Sequence, residues 1–497
     1  MRPKHIAALL LAASLCLTGG CGYILVEYVE ETKPAASSGT HAPTGTLPAP
    51  EGGSVPADRL AEPLAPRTES AEAALDALYP ADIRNSAVIA AMPESAEDTL
   101  LGNENDPFCD IYGKRNGMIE KKYGCSIFTR RVADEGFDAA LAASVKAGGS
   151  DDTYFADIML LRPEHAGRLA VSGMLTDLRK LPFYTVMTDG PEGAGMYRAV
   201  NFFDISGATV GYSSRPALFF SRDLAGETGS SGLYSAALGG KFTFDYFTGF
   251  AKEALSSADG EAFALAVDSG DTANAFELTG DIALIRSGLD FVSGGNGVYP
   301  ALTEFYEDGT LSSTITSLSS LCEGTSREAG GNFTLFEEGK VLFYIGKVYD
   351  ITGGLATGKV PYGILPLPYL SDPSVYAPAG PGGAALCVPS NNARFDLTGV
   401  ILSSLRAASG IWMGDEFANM CCGVYLRDND SYYTLRELLA EPVYYDFSYF
   451  LGGSCAGLDE ATYLAVRKCA ADGTPLSGTA GTLAAKVNGN LKKAGLK

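Results

Sequence analysis

The sequence predicts an α/β protein with largely parallel sheets, and three observations support that prediction. From Asn85 onwards, short apolar runs alternate with amphipathic stretches of helical length, which is the pattern of βαβ units. Of the 497 residues, 46% are hydrophobic and 19% are charged, so the chain can bury a large core. At roughly 150 residues per domain, this length allows about three domains, or two large lobes with excursions between them.

The chain begins with the features of a secretory signal. Two basic residues precede an apolar run from Ile6 to Leu17, and small residues follow before Cys21. This run is too short to cross about 30 Å of hydrocarbon, and no later stretch of the sequence has the ~18 apolar residues that a membrane helix needs. The stretch LTGGC resembles a bacterial lipobox, whose cysteine carries lipid after cleavage, although Thr18 stands where an aliphatic residue is usual. We expect a signal peptide over residues 1–20 and a lipid on Cys21; a plain cleaved signal is the alternative.

Residues 21–84 are expected to tether the folded body to the membrane. The part from residue 33 to residue 70 is rich in Pro, Ala, Ser, Thr and Gly and poor in large apolar residues. Such a composition cannot bury enough surface to offset the entropy lost on ordering. We therefore expect a flexible linker, whose end-to-end distance of about 5 to 6 Å times the square root of its length would let the body move some tens of Å above the bilayer.

The charge balance excludes some classes of partner. With 37 Lys and Arg against 59 Asp and Glu, the net charge is -22. A protein that binds nucleic acid needs a surplus of basic residues to neutralise phosphates, so neither nucleic acid nor another polyanion is expected. Small neutral or cationic ligands remain open.

The cysteines predict neither a disulfide scaffold nor a metal site. Of the 10 cysteines, Cys16 lies in the signal and Cys21 at the anchor, which leaves eight in the body. Eight cysteines are sparse for a chain of this size, and no CxxC pair with downstream partners is present. The sequence assigns no pairing, and we expect no metal or cofactor.

The alternation of strands and helices can be followed from residue 87. AVIAAM at 87–92 is the first predicted strand, an amphipathic helix follows it, and a second strand returns from Cys125. The next helix, DEGFDAALAASVKAGG, repeats an apolar residue every four positions from Phe137 and stops at a pair of glycines. ADIMLL at 156–161 is the third predicted strand.

From the third strand onwards, successive segments of the chain resemble those of family 1 extracellular solute-binding proteins of ABC importers. In chain order they are DIMLLRPEHAGRLAVSGMLTDL from Asp157, ALFFSRDL from Ala217, FTFDYFTGFAKEAL from Phe242, FEEGKVLFYIGKVYDI from Phe336, and the pair YGILPLPYL and GGAALCVPSNN. They occur in that family's order and together span about 300 residues. The departures concern the ligand rather than the fold: Phe220-Ser221-Arg222 stands in the hinge strand, and Phe244 stands where Trp is usual.

This resemblance implies an α/β fold of the type II periplasmic-binding-protein class, in which two α/β lobes are joined by crossing hinge strands with a ligand cleft between them. The crossings are expected near residues 213–219 and 380–388. The implied division is lobe 1 from residues 85–216, lobe 2 from residues 217–384, a return segment to lobe 1 over residues 385–430, and C-terminal helices, mostly of lobe 2, over residues 431–497.

The same resemblance implies a binding protein with no chemistry of its own. It would capture a small solute, a sugar or oligosaccharide, and deliver it to ABC transporter permease subunits by closure of the cleft. We expect a monomer held by its lipid at the extracytoplasmic face of the cell membrane.

Alignment with the family's segments assigns ligand-binding positions at four places. They are Glu94 and Ser95 after the first strand, Leu161, Arg162, Glu164 and His165 after the third, Ser214 and Arg215 before the hinge strand, and Lys347 and Tyr349 after the strand at 341–346. The resemblance implies that Glu164 accepts hydrogen bonds from sugar hydroxyls and that Tyr349 stacks on the apolar face of a sugar. Asp446 and Tyr449 are weaker candidates.

Several of these positions also have a structural interpretation. The alternative for Glu164 is that it favours the start of a helix and does not bind ligand. The alternative for His165, the sole histidine of the body, is a structural role. Arg215 can pair with an acidic residue between the lobes, and Tyr349 can belong to the core. Trp412, the only tryptophan, lies in a helix-like stretch, where we expect it to pack.

Two other functions remain open on sequence grounds. No GxSxG, HExxH or GxGxxG motif is present, and the GxxxxGK match at 353–359 is followed by Val360 where Ser or Thr belongs. With 59 acidic residues, a secreted hydrolase using a carboxylate pair is one alternative, because the spacing of such a pair is a property of the tertiary structure. A sensory or structural lipoprotein with an emptied cleft is the other.

Overall fold

The structure is a computed structural model. It describes residues 62–78, 80–96, 98–102, 106–148, 154–184, 215–256, 262–267, 289–294, 297–302, 321, 331–368, 378–379, 384–440 and 444–445. All of them lie in the compact unit formed by residues 49–497. The predicted signal, Cys21 and the greater part of the predicted tether lie outside the described residues, as does the segment after residue 445.

The described elements alternate as the sequence predicts. The strands are β1 (Ala87–Pro93), β2 (Ser126–Val132), β3 (Ile158–Leu161), β4 (Pro216–Ser221), β5 (Phe263–Val267), β6 (Leu289–Gly294), β7 (Gly297–Leu302), β8 (Val341–Lys347), β9 (Tyr362–Leu365), β10 (Pro378–Ala379), β11 (Ala385–Cys387) and β12 (Tyr444–Tyr445). The α-helices are α1 (Glu69–Ala77), α2 (Cys109–Tyr123), α3 (Asp134–Ala147), α4 (Pro163–Val171), α5 (Arg222–Leu238), α6 (Phe244–Ser256), α7 (Gly331–Glu337), α8 (Gly354–Thr357), α9 (Phe395–Ala408), α10 (Ile411–Cys421) and α11 (Asn429–Ala440). Short 3-10 helices cover Leu178–Lys180 and Val348–Ile351.

The first sheet has the strand order β11-β3-β1-β2. Strand β1 pairs in parallel with β2 and β3, whereas β11 is antiparallel to β3. The connecting helices bury the apolar faces that the sequence predicts, including Ile119 of α2 and Phe137 of α3. Each of these two helices ends at a glycine with positive φ, Gly124 at 64° and Gly148 at 77°, a conformation that glycine adopts without strain.

The second sheet has the order β5-β8-β4-β9, so the α/β class with two sheets is confirmed. Strand β4 is antiparallel to both β8 and β9, and only β5 and β8 pair in parallel. The second sheet is therefore mixed rather than largely parallel. At the end of β4, the Ser221 hydroxyl accepts a hydrogen bond from the Leu224 N–H and caps α5. This capping role explains why a serine stands here, where the sequence departs from the family pattern. A hairpin of β6 and β7 and a pair of β10 and β12 complete the strands.

The chain passes between the two sheets twice, as predicted. It leaves the first sheet after β3 and enters the second at β4, then leaves the second after β9 and returns to the first at β11. Each returning strand is antiparallel to its neighbour, because it starts at the edge where the neighbouring strand ends. Pro216 pairs with Lys347, and Ala385 pairs with Leu161.

Each sheet has its own hydrophobic core. The first core combines β1, β3 and β11 with α9, and the second combines β4, β8 and β9 with α10 and α11. Of the predicted return segment at 385–430, β11 and α9 thus pack in the first core, whereas α10 packs in the second. Trp412 of α10 is 1% exposed, which confirms its packing role. Phe108, just before α2, stacks on Phe417 of α10 with ring centroids 4.3 Å apart, so α2 also meets the second core.

One prediction about the tether is wrong. Residues 69–77 form helix α1 inside the region expected to be flexible, and Ala71 and Leu75 are buried by it. Composition misled here because the segment ESAEAALDA carries only one large apolar residue, Leu75. Burial of Leu75 and Ala71, together with an ion pair of Arg67 with the buried Asp415, nevertheless holds the segment on the body. Within the described residues, no helix is both long and apolar enough to span a bilayer.

Candidate functional site

Three loops meet at the carboxyl edge of the first sheet, where the parallel strands β1, β2 and β3 end. The loop after β1 contains Glu94 and Ser95, the chain after β2 starts α3 at Asp134, and the chain after β3 starts α4 through Arg162. Helix N-termini carry free N–H groups and a partial positive charge, and open α/β sheets bind ligands at this edge. This set of residues is the first half of the candidate site.

Hydrogen bonds join these loops to one another. The Asp134 carboxylate accepts from the Ser95 N–H at 3.0 Å, and Arg162 Nη2 donates to the Ser95 carbonyl oxygen at 2.7 Å. Arg131 Nη1 donates to the Glu94 carbonyl oxygen at 3.0 Å. The hydrogen bonds from Ser95, helped by the positive charge of Arg162, lower the pKa of the exposed Asp134. The edge is therefore an ordered polar surface that carries exposed side chains of both charges.

A second ion-pair cluster lies one helical turn further along α3 and α4. His165 Nε2 is 2.6 Å from Asp138 Oδ1, and Arg168 pairs with the other oxygen of the same carboxylate. Partial burial acts to raise the pKa of Asp138, but the hydrogen bonds from Arg168 and His165 outweigh it and hold that pKa below its ordinary value. The His165 ring also meets Phe137 edge-on at 5.3 Å. His165 thus binds α4 to α3, in agreement with its structural interpretation.

The carboxyl end of β8 carries the second half of the candidate site. Lys347 is exposed, and its N–H donates to the Asp350 carboxylate at 2.8 Å, which starts the 3-10 turn. Tyr349 lies on that turn with 48% of its surface exposed. Its ring rests against the backbone of Gly353, where a Cβ would lie 3.1 Å from the ring. A large aromatic face is therefore presented to solvent at this edge.

The predicted binding residues fall into three groups. At the ends of the strands, Arg162 contacts the loop of Glu94 and Ser95, Glu164 and His165 follow in the first turn of α4, and Lys347 and Tyr349 lie at the end of β8. Leu161 is completely buried, and Arg215 is 4% exposed with its guanidinium donating to the Leu438 carbonyl oxygen, so neither side chain faces solvent. Ser214, Asp446, Tyr449 and Cys21 lie outside the described residues.

Sequence reasoning missed Asp134 and Arg131. It drew candidates from the loops after the first and third strands and passed over the one after the second, although parallel neighbours end at the same edge. The signal was available, because Asp134 stands at the predicted start of a helix that directly follows a predicted strand.

Metal or thiol chemistry finds no support among the described residues. No group of three or more His, Cys, Asp or Glu side chains is placed to hold a metal ion there. Cys125 and Cys421 carry free thiols. Burial raises the pKa of Cys421 well above its ordinary value, which keeps it a thiol rather than a reactive thiolate.

Comparisons with known proteins give structural matches only. No protein-family model matches the sequence, and no curated protein matches it significantly. The solved structures that are similar over most of the chain include a cyclo/maltodextrin-binding protein complexed with maltotetraose, with 13% identity and a TM-score of 0.48 over 83% of this chain and 99% of the other.

Two further matches are family 1 extracellular solute-binding proteins. The one from Alicyclobacillus acidocaldarius is 11% identical with a TM-score of 0.46, and the one from Bifidobacterium longum subsp. infantis is 12% identical with a TM-score of 0.47. Each covers 82% of this chain and 100% of its own. These proteins are of the kind that the sequence landmarks resemble; at such values the likeness assigns neither ligand nor activity to this chain.

Proposed function

We propose that the protein is the extracytoplasmic, lipid-anchored substrate-binding component of an ABC importer. It captures a sugar or oligosaccharide in a cleft between its two lobes and delivers it to the permease when the cleft closes. The support comes from the signal and lipobox-like start, the ordered family landmarks, and the geometry of the two sheet edges.

The observation that carries the proposal is where the chain enters each sheet. Pro216 pairs with Lys347 and Ala385 pairs with Leu161, so both crossing strands start at the carboxyl edge of their sheet. Each crossing segment leaves one lobe and enters the other at its carboxyl edge. This connection favours an arrangement in which the two carboxyl edges face each other. A ligand between them would touch residues from both lobes, which is what closure by a ligand requires.

The chemistry of the two edges suits a polyhydroxylated ligand. The first edge offers both carboxylate acceptors and guanidinium donors, and hydroxyl groups can pair with either because they act as both donor and acceptor. Tyr349 at the second edge offers a ring face for the C–H face of a sugar, and Lys347 adds donors beside it. Glu164 stays the proposed acceptor for sugar hydroxyls, and Asp134 joins the proposed set.

The lobe boundaries follow from the same arrangement. Lobe 1 would comprise residues 85 to about 214 together with β11 and α9, and lobe 2 the chain from β4 to β9. Helices α10 and α11 would move with lobe 2, whose core they share. The chain would act as a monomer, since each lobe would contribute its own half of the site.

A thermal-shift screen over sugars, oligosaccharides, peptides and polyamines tests the proposal. A ligand present at 100 times its dissociation constant stabilises the folded protein by about 2.7 kcal/mol, which raises the melting temperature measurably. We expect maltodextrins or related oligosaccharides to give the shift, with calorimetric titration confirming one site per chain. A protein that responds to no class of solute would refute the binding role.

Incubation of the same ligands with the protein separates the enzyme alternative. Chromatography should recover each oligosaccharide intact after hours at 37 °C in the presence of a stoichiometric amount of protein. Release of shorter sugars would overturn the proposal in favour of a hydrolase that uses a carboxylate pair.

A further inference from the structure

Residues 62–77, here called the strap, precede strand β1 and have no role in the proposed site. The extended part of the strap lies on helices α10 and α11. The Leu64 N–H donates to the Tyr432 hydroxyl at 2.9 Å, and Asn419 Nδ2 donates to the Leu64 carbonyl oxygen at 2.9 Å. Arg436 Nη2 donates to the Ala65 carbonyl oxygen at 3.1 Å. The strap is thus held through its own backbone by side chains of both helices.

A shared carboxylate locks this contact. Asp415 of α10 is fully buried, and it accepts from the Arg67 N–H at 2.9 Å and from Arg67 Nε at 2.8 Å. Arg436 of α11 pairs with the same carboxylate, with Nε 3.0 Å from Oδ1 and Nη2 3.1 Å from Oδ2. Two guanidinium groups from different parts of the chain therefore satisfy one buried charge.

The other end of the strap belongs to the first lobe. Leu75 of α1 packs in the first core, while Ala71, one turn earlier, packs in the second. Lys122, at the end of α2, donates to the Leu75 carbonyl oxygen and lies 3.6 Å from the Asp76 carboxylate. The strap consequently spans both cores.

Helix α11 connects the strap to a crossing strand. Two residues beyond Arg436, the Leu438 carbonyl oxygen accepts from the guanidinium of Arg215, which is 4% exposed and immediately precedes β4. The Arg215 carbonyl oxygen in turn accepts from the Val348 N–H at 2.8 Å, at the end of β8. Polar contacts, joined by the short stretch of α11 between Arg436 and Leu438, therefore lead from Arg67 to the point where the chain enters the second sheet.

We propose that the strap is a brace for the hinge: docked on α10 and α11, it holds α11 in the position that fixes Arg215 and the start of β4. Arg67 is the positioning residue of this device. Because the strap lies in the C-terminal part of the predicted membrane tether, its docking also gives the tether a mechanical connection to the hinge. The proposal does not require the ligand to be known, since the brace is formed by contacts within the chain.

Hydrogen exchange on the full, unliganded chain tests the brace. Arg67→Gln removes the strap's charged contact while leaving Asp415 paired with Arg436, so the variant should fold. We expect amide exchange to accelerate about tenfold in the strap, in α11 and in β4, because each depends on the docked arrangement. Arg67→Lys keeps the charge but not the forked contact, so its exchange rates should lie between those of the parent and those of Arg67→Gln.

Arg179→Gln is the matched control. Arg179 pairs with the nearly buried carboxylate of Asp177, whose side chain is 7% exposed, in a 3-10 turn that packs on the first core. Its loss should leave exchange in α11 and β4 unchanged. If Arg67→Gln accelerates amide exchange in the strap alone, the brace is refuted and the strap is a passive tail. If the control accelerates exchange in β4 equally, the brace is refuted because the effect is general destabilisation.

Discussion

Tyr349→Ala measures how much of the ligand's binding comes from the aromatic face at the second edge. An aromatic side chain presents about 150 to 250 Å² of surface, and with 48% of Tyr349 exposed, about 70 to 120 Å² is open to a ligand. If a sugar covers all of this surface, about 25 cal/mol per Å² gives about 2 to 3 kcal/mol. The dissociation constant should then rise about 30- to 150-fold.

Calorimetric titration with the sugar identified by the thermal-shift screen provides the measurement. Tyr246→Ala is the control, because Tyr246 is a comparably exposed tyrosine, 36% exposed, on α6 rather than at the sheet edge. Both variants lose packed ring surface, so both should melt at a lower temperature without ligand. Only Tyr349→Ala should lose affinity. An unchanged dissociation constant in Tyr349→Ala would refute the stacking role and assign the ring to packing on the Gly353 backbone.

Three further predictions concern the core, the first edge and the anchor. Phe108→Ala removes a fully buried ring stacked on Phe417 and should lower the free energy of unfolding by about 3 to 5 kcal/mol in denaturant titration; a loss below 1 kcal/mol would contradict the packing of α2 on α10. The depressed pKa of Asp138 contributes stability that is present above the ordinary aspartate value of 3.8 and is lost as the pH falls through the folded-state pKa. The unfolding midpoint of the parent should therefore fall more steeply in acid than that of Asp138→Asn. Parallel curves for the two proteins would contradict this contribution. Cys21→Ala should move the protein from the membrane fraction to the soluble fraction on immunoblots, because the lipid supplies its membrane affinity, and retention on the membrane would disprove the lipobox interpretation.

Much of the fold could be predicted from the sequence because it depends on local patterns. The strand predicted at 87–92 is observed at Ala87–Pro93, and the strand expected at 341–346 at Val341–Lys347. Apolar spacing, capping residues and terminal glycines act over one or two helical turns, so a single sequence records them. The two crossings came from the order of longer landmarks and are also confirmed.

The candidate site was predictable only in part. The loops after the first and third strands lie at one edge of the first sheet, because parallel strands end together; their role in binding stays a prediction. Arg215 was expected either to reach a ligand or to pair with an acidic residue between the lobes; its guanidinium is buried and donates to a carbonyl oxygen of α11, more than two hundred residues further along the chain. No local pattern distinguishes an arginine that faces a cleft from one that donates to a distant carbonyl group.

By itself, the sequence determined the class of the fold, the two passages between the sheets, the burial of Trp412 and the acidic character of the chain. The fold class, the burial of Trp412 and the acidic character follow from composition and short-range periodicity, which act before any tertiary contact forms, whereas the two passages are implied by the order of the family's landmarks. Only the tertiary structure decided that residues 69–77 are helical, that Asp134 accepts from Ser95 at the carboxyl edge of the first sheet, and that one buried carboxylate, Asp415, binds both Arg67 and Arg436. The physical reason is that these features depend on groups brought together from opposite ends of the chain, where a few well-placed contacts outweigh the local preference for disorder.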